Sequence, residues 1–197
     1  GCTYAPLPDR ICAGTLLCGA AITGGDVYVR DAREQDLSAL LHKLRETGCE
    51  IHLPQGGGVR AIAPKRLRAV RRIETAPFPG FPTDMQAQMS AVLTRARGTS
   101  VVVENVFENR YRHAAELGRM GASFTQKDRT AIIRGVDKLT GARVKAWDLR
   151  GGAAMLLAGL AAEGETIIDH AELIDRGYDK LHETLNALGA QIIRKEN

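Results

Sequence analysis

Three aspartates and a set of arginines hold the chemistry this sequence can offer. Asp9 (Pro8-Asp9-Arg10), Asp84 (Pro82-Thr83-Asp84) and Asp148 (Asp148-Leu149-Arg150) each stand at an expected helix start. They lie 16, 14 and 16 residues before Gly25, Gly98 and Gly164. A carboxylate there has two uses. It caps the free N–H groups of the first turn, for about 1 kcal/mol, or it serves as a base toward something bound nearby. Spacing leaves both open. Asp84 is set most rigidly: APFPGFPTDMQAQM (76–89) puts three prolines and two phenylalanines ahead of it, then opens an amphipathic helix. Prolines fix the backbone dihedral and stop a strand. Arg10 and Arg150 adjoin two of the helix starts, while Arg110 and Arg112 (ENVFENRYRH, 104–113) and Arg176 (ELIDRGYD, 172–179) follow strands. An arginine fork binds phosphate or carboxylate bidentately, and helix N-termini attract anions. Together these residues point to a phosphorylated or carboxylated ligand, without naming a reaction.

The elements that must position them come as an internal repeat. LRETGCEI (44–51), LGRMGASF (117–124) and LNALGAQI (185–192) each end a helix at a Gly and pass into a strand. GGDVYV (24–29), GTSVVV (98–103) and GETIID (164–169) form a second matched set. The first set starts 73 and 68 residues apart and the second 74 and 66, so two independent markers give a period near seventy. Each unit reads as helix, Gly-led strand, second helix, then a strand or strand pair. Leu37, Leu40, Leu41 and Leu44 fall at i, i+3, i+4, i+7; Leu181, Leu185 and Leu188 nearly repeat this. Residues 50–53 with 59–63, and 123–126 with 130–134, read as hairpins. The expectation is one compact α/β domain over 1–197 with pseudo-threefold symmetry, its units at about 8–63, 70–135 and 142–197.

Composition excludes more than it identifies. At 197 residues and formal charge +4, with basic residues dispersed, nucleic acid is not the expected partner; a protein directed to RNA would need a clustered basic surface. No apolar run reaches the ~18 residues that span a membrane. The opening GCTYAPLPDR has no basic flank or apolar stretch of a signal peptide. Cys2, Cys12, Cys18 and Cys49 lack metal-ligand spacing and read as reduced thiols of a cytoplasmic protein. The chain starts at Gly1 without Met, as a piece of something longer would.

PDRICAGT (8–15), FPTDMQAQ (81–88), VFENRYRHAAELGRMGA (106–122), AWDLRGGAAMLLAGLAAEGET (146–166) and IDRGYDKL (174–181) resemble, in family order, the UDP-N-acetylglucosamine 1-carboxyvinyltransferases. These belong to the wider enolpyruvyl transferase superfamily. The resemblance implies an inside-out α/β barrel of three units. It also implies transfer of enolpyruvyl from phosphoenolpyruvate to the 3′-hydroxyl of UDP-N-acetylglucosamine. Phosphate leaves through a tetrahedral addition–elimination intermediate, with neither metal nor organic cofactor, in the bacterial cytoplasm at the opening of peptidoglycan synthesis. On this resemblance Asp84 holds the sugar hydroxyl as general base. Val106 gives a backbone contact to the nucleotide sugar with Phe107 beside it. Arg110 is the arginine of the ENR motif, Asp148 and Arg150 are a catalytic Asp and its neighbour, and Arg176 engages phosphoenolpyruvate. Departures are Leu173 where His is usual, Cys12 where Glu is usual, and a looser Gly151-Gly152. The motifs match only the C-terminal part of the family's chain. The partner domain, with its Lys-Asn pair and cysteine-bearing loop, has no counterpart, so the fragment alone is expected to turn over nothing. A non-catalytic sugar-nucleotide-binding module, or a diverged paralogue, is the alternative.

Overall fold

The computed structural model describes residues 1–195; Glu196 and Asn197, the last residues of the unit expected over 142–197, lie outside the described part. Helix α1 (Arg10–Thr23) starts where the Asp9 carboxylate accepts from the amides of Ile11 (2.8 Å) and Cys12 (3.1 Å). After β1 (Asp26–Val29), α2 (Glu34–Glu46) buries the leucine stripe 37, 40, 41 and 44. Glu34 and Asp36 in its first turn, and Lys43 and Arg45 in its last, complement its dipole. β2 (Glu50–His52) and β3 (Val59–Ile62) pair antiparallel in a sheet of order β1-β3-β2.

The same order recurs with an added leading strand. It runs β4 (Arg72–Glu74), a 3₁₀ turn (Thr83–Met85), α3 (Gln86–Thr94), β5 (Thr99–Val103), α4 (Arg112–Arg119) and the hairpin β6 (Ser123–Lys127) with β7 (Thr130–Arg134). These strands make a sheet of order β4-β5-β7-β6, with Val102 of β5 opposite Ala131 and beside Ile73. Both expected hairpins are present.

The last third departs from the expected pattern. β8 (Leu139–Thr140) and β9 (Arg143–Lys145) precede α5 (Leu149–Leu160), followed by β10 (Ala162–Glu163), β11 (Ile167–Asp169), α6 (Glu172–Asp175) and α7 (Leu181–Ala187). β9 pairs with β11 and β8 with β10, both parallel. The strand expected after α7 does not form among the described residues. Instead the Asn186 side chain holds the Ile192 backbone, accepting from its amide and donating to its carbonyl, each at 2.8 Å. An amide side chain thus occupies the groups a neighbouring strand would need. The glycines expected to stop the repeated helices do so: Gly48, Gly121 and Gly189 take φ of 97°, 86° and 102°, the left-handed region where a Cβ is strained.

Helices α1, α3 and α5 touch one another at the centre, and the sheets lie outside them. This is the inside-out arrangement the resemblance implies. One expectation is corrected here. α3 is not amphipathic: all nine of its residues are buried, Gln86, Gln88, Ser90 and Thr94 included, because other elements enclose it on every side. No helix among the described residues is long and apolar enough to cross a membrane.

Candidate functional site: an aspartate between two arginines

The approach to Asp84 is a tight reversal. The Ala76 amide donates to the Phe81 carbonyl (2.9 Å) and the Gly80 amide to that of Pro77 (2.8 Å), so the prolines deliver the chain to the 3₁₀ turn. Phe81 is buried there, while Phe78 stays exposed beneath the Arg10 guanidinium, 5.0 Å from its ring centre. Asp9 and Asp148 are helix caps; Asp148 accepts from the amides of Arg150 (2.9 Å) and Gly151 (2.8 Å). Asp84 is not. Among the described residues no side-chain cap bond starts the turn or α3, and the Asp84 carboxylate is spent on two arginines instead. Arg110 Nη2 donates to its Oδ1, and Arg150 Nη2 to its Oδ2 at 3.0 Å. The three aspartates are therefore not equivalent, and capping does not account for Asp84.

Arg150 is the buried half of this cluster. Its side chain is 12 % exposed, against 38 % for Asp84, and its guanidinium lies over the Tyr178 ring at 5.3 Å. Burial works against its charge, but Tyr178 and Asp84 outweigh that and raise its pKa overall. Two of its nitrogens, Nε and Nη1, are buried without a partner among the described residues. Tyr178 is fixed in turn. Its hydroxyl lies 2.9 Å from Thr15 Oγ1 and 2.9 Å from Gln88 Nε2, and that same amide donates to the Asp84 carbonyl at 2.9 Å. Thr15 spends its own proton on the Ile11 carbonyl (2.8 Å), so it accepts from Tyr178, which accepts from Gln88. Burial pushes the Tyr178 phenol above its usual pKa, which keeps this donor protonated.

The structure gathers Asp84, Arg110, Arg150 and Phe107, whose ring lies 4.8 Å under the Arg110 guanidinium. Val106 and Phe107 are exposed on the loop after β5. Arg176 is exposed on an open cleft of about 890 Å³ shared with Asp9, Arg150, Tyr178 and Lys180. Asp148 sits at the head of α5 with one oxygen engaged. Arg112 is exposed on α4, away from the cluster's bonds. Sequence reasoning missed Thr15, Gln88 and Tyr178, although each lies inside a motif it singled out. Cys12 is a poor nucleophile here: burial and then Asp9 raise its pKa. His113 is no proton carrier near neutrality. Burial depresses it to about 4 against the opposing pull of Asp148.

A carboxylate has about four lone-pair sites. Two arginines leave Asp84 room to accept a hydroxyl proton, and its exposure leaves a path to it. Cationic groups on one side and a partly free carboxylate on the other suit a ligand with both an anionic group and a hydroxyl.

This architecture is that of the enolpyruvyl transferases. The enolpyruvyl transferase NikO from Streptomyces tendae superposes on 95 % of the chain with a TM-score of 0.81 at 26 % identity, using 44 % of its own length. EPSP synthase from Acinetobacter baumannii shares the fold over the full chain, with a TM-score of 0.73 at 24 % identity. Residues 1–185 match the EPSP synthase (3-phosphoshikimate 1-carboxyvinyltransferase) family, and the chain belongs to it. Relatives named UDP-N-acetylglucosamine 1-carboxyvinyltransferase are similar over nearly all of it. The Myxococcus xanthus protein is 52 % identical over 193 residues, 98 % of this chain and 46 % of its own. One from Caldanaerobacter subterraneus subsp. tengcongensis is 50 % identical over 97 % of this chain and 46 % of its own. That of Desulfofundulus thermocisternus is 51 % identical, with 98 % and 79 % covered. The chain spans about half the length of the first two.

Proposed function

We propose that this chain is one domain, built of three repeats, of an enzyme that moves enolpyruvyl from phosphoenolpyruvate to the 3′-hydroxyl of UDP-N-acetylglucosamine. The observation that carries the reading is the Arg110–Asp84–Arg150 cluster, in a chain half identical to proteins of that name. Asp84 accepts the hydroxyl proton as the sugar oxygen bonds to C2 of phosphoenolpyruvate, while C3 takes up a proton from a donor outside this chain. The resulting tetrahedral centre loses inorganic phosphate and a C3 proton, and the double bond returns. Arg150 and Arg176 face the substrate's carboxylate and phosphate, whose charge grows as the C–O bond breaks; preorganised cations favour that step by several kcal/mol. Val106 and Phe107 border the nucleotide sugar. Asp148 orders the α5 head beside Arg150. The rest of the full-length chain supplies the second wall of the cleft, and the product enters cytoplasmic peptidoglycan synthesis.

The test is phosphate release from phosphoenolpyruvate by the full-length protein, with and without UDP-N-acetylglucosamine. Sugar-dependent release that falls at least about 100-fold in Asp84→Ala is expected, the usual range for loss of a positioned base. Release independent of the sugar, or undiminished in the variant, would sink the assignment. A full-length protein that binds the sugar nucleotide without turnover would instead be a binding module.

A further inference from the structure

Glu104, just after β5, is fully buried and makes no ion pair among the described residues. Removing a carboxylate from water without a cation is costly unless donors replace the water. Four do. Glu104 Oε1 accepts from the Thr75 hydroxyl (2.8 Å) and the amides of Val106 (2.9 Å) and Phe107 (3.1 Å); Oε2 accepts from the Thr83 hydroxyl (2.9 Å). Thr75 in turn accepts from the Asn105 amide at 2.8 Å. A single side chain therefore ties together the end of β4, the turn bearing Asp84 and the loop after β5.

These bonds close a ring. Glu104 holds Thr83, the neighbour of Asp84; Asp84 holds Arg110; Arg110 rests on the Phe107 ring; and the Phe107 amide returns to Glu104. Packing alone could stabilise this region as well, since apolar residues often replace buried charge without loss. What an apolar side chain could not do is fix the spacing between Asp84 and the 105–107 loop. We infer that Glu104 is a positioning residue, setting the base against the loop that borders the sugar nucleotide. It acts through Thr83 and the two amides. The inference rests on the function proposed above and adds the residue that fits the site to one substrate, the sugar, rather than the other.

The test uses the full-length enzyme and separates kcat from KM for each substrate. Thr83→Val keeps volume and leaves the buried carboxylate in place while cutting its link to the Asp84 turn; Thr83→Ser keeps the hydroxyl. The expected result is a KM for UDP-N-acetylglucosamine raised about tenfold in Thr83→Val and in Glu104→Gln. KM for phosphoenolpyruvate should stay within about twofold, and Thr83→Ser should recover wild-type values. In the double variant the two effects should fall short of multiplying, because both open the same ring. Both KM values unchanged, with only a lower melting temperature or less active protein, would reduce Glu104 to a structural residue and overturn the inference. If the wild type binds the sugar nucleotide without turnover, the proposed reaction fails. The same split is then read from its dissociation constant by calorimetry. A wild type that neither turns over nor binds it overturns both.

Discussion

Asp84 and Asp148 are the same residue type at similar places in the chain, yet one is held by arginines and the other by backbone amides. What separates them is distance along the sequence. A cap finds its partners two and three residues away, so capping was a legible option for Asp9 and Asp148, although spacing left it equally open for Asp84. The arginines on Asp84 come from 26 and 66 residues away, and the Gln88–Tyr178 bond spans 90. No local pattern encodes those meetings; the motifs marked the segments without showing which side chains meet. Tyr178 gives the residue-scale test. Tyr178→Phe removes one hydrogen bond from each of Gln88 and Thr15, which keep their 3.2 Å bond to each other, and should cost about 1 kcal/mol in urea unfolding. Tyr178→Leu, which also removes the ring beneath Arg150, should cost more. His113 supplies the pH test. Its folded pKa of about 4 lies below the ordinary 6.5, so the unfolded chain binds the proton first as pH falls. Its neutral burial costs nothing above pH 6.5. As pH drops from 6.5 toward 4, the folded state loses up to about 3 kcal/mol. In His113→Phe, stability measured across that window should lose this part of its slope.

Among the elements, the leucine stripe of α2 and the glycine stops were readable because helix period and left-handed backbone are properties of a few adjacent residues. The burial of α3 and the missing strand after α7 were not. Polar residues in a helix read as a solvent face unless one knows that neighbours enclose it, and strand-like residues do not reveal whether a partner strand exists. The glycine pair after Arg150 looked loose in sequence and is tight in space. A Cβ on Gly152 would sit 2.6 Å from Ile174 Cγ1 and 3.0 Å from Ala146 Cβ, so the glycine is what brings α6 against α5. Alanine favours a helix by about 1 kcal/mol over glycine. Overpacking costs about 1–3 kcal/mol, and the short Ala146 side chain cannot swing away. Gly152→Ala should therefore lower the melting temperature. Gly118→Ala, on α4 with nothing within 4 Å of its Cβ, should raise it slightly.

For the whole molecule, the pseudo-threefold α/β class could be read because the repeat declared it twice, through helix ends and through Gly-led strands, while the inside-out arrangement came only with the family resemblance. The meeting of Asp84 with Arg150 could not be assembled from sequence without the family resemblance, since the two come from different units. The hydroxyl of Tyr178 has a larger consequence than its local bonds. It joins Thr15 of α1, Gln88 of α3 and the segment after α6, one from each repeat, at the point where the central helices meet. Stacked repeat proteins, whose units touch only their neighbours, can fray from an end. Here no unit is terminal, because each closes on the other two. Loss of one should release the rest, so equilibrium denaturation of the chain should be all-or-none. Fluorescence of its single tryptophan, Trp147, whose indole donates to Glu116 of the middle third (3.1 Å), should report the same midpoint as backbone circular dichroism. Two separated midpoints would mean that the repeats melt independently, and that a threefold ancestry has left no single cooperative unit.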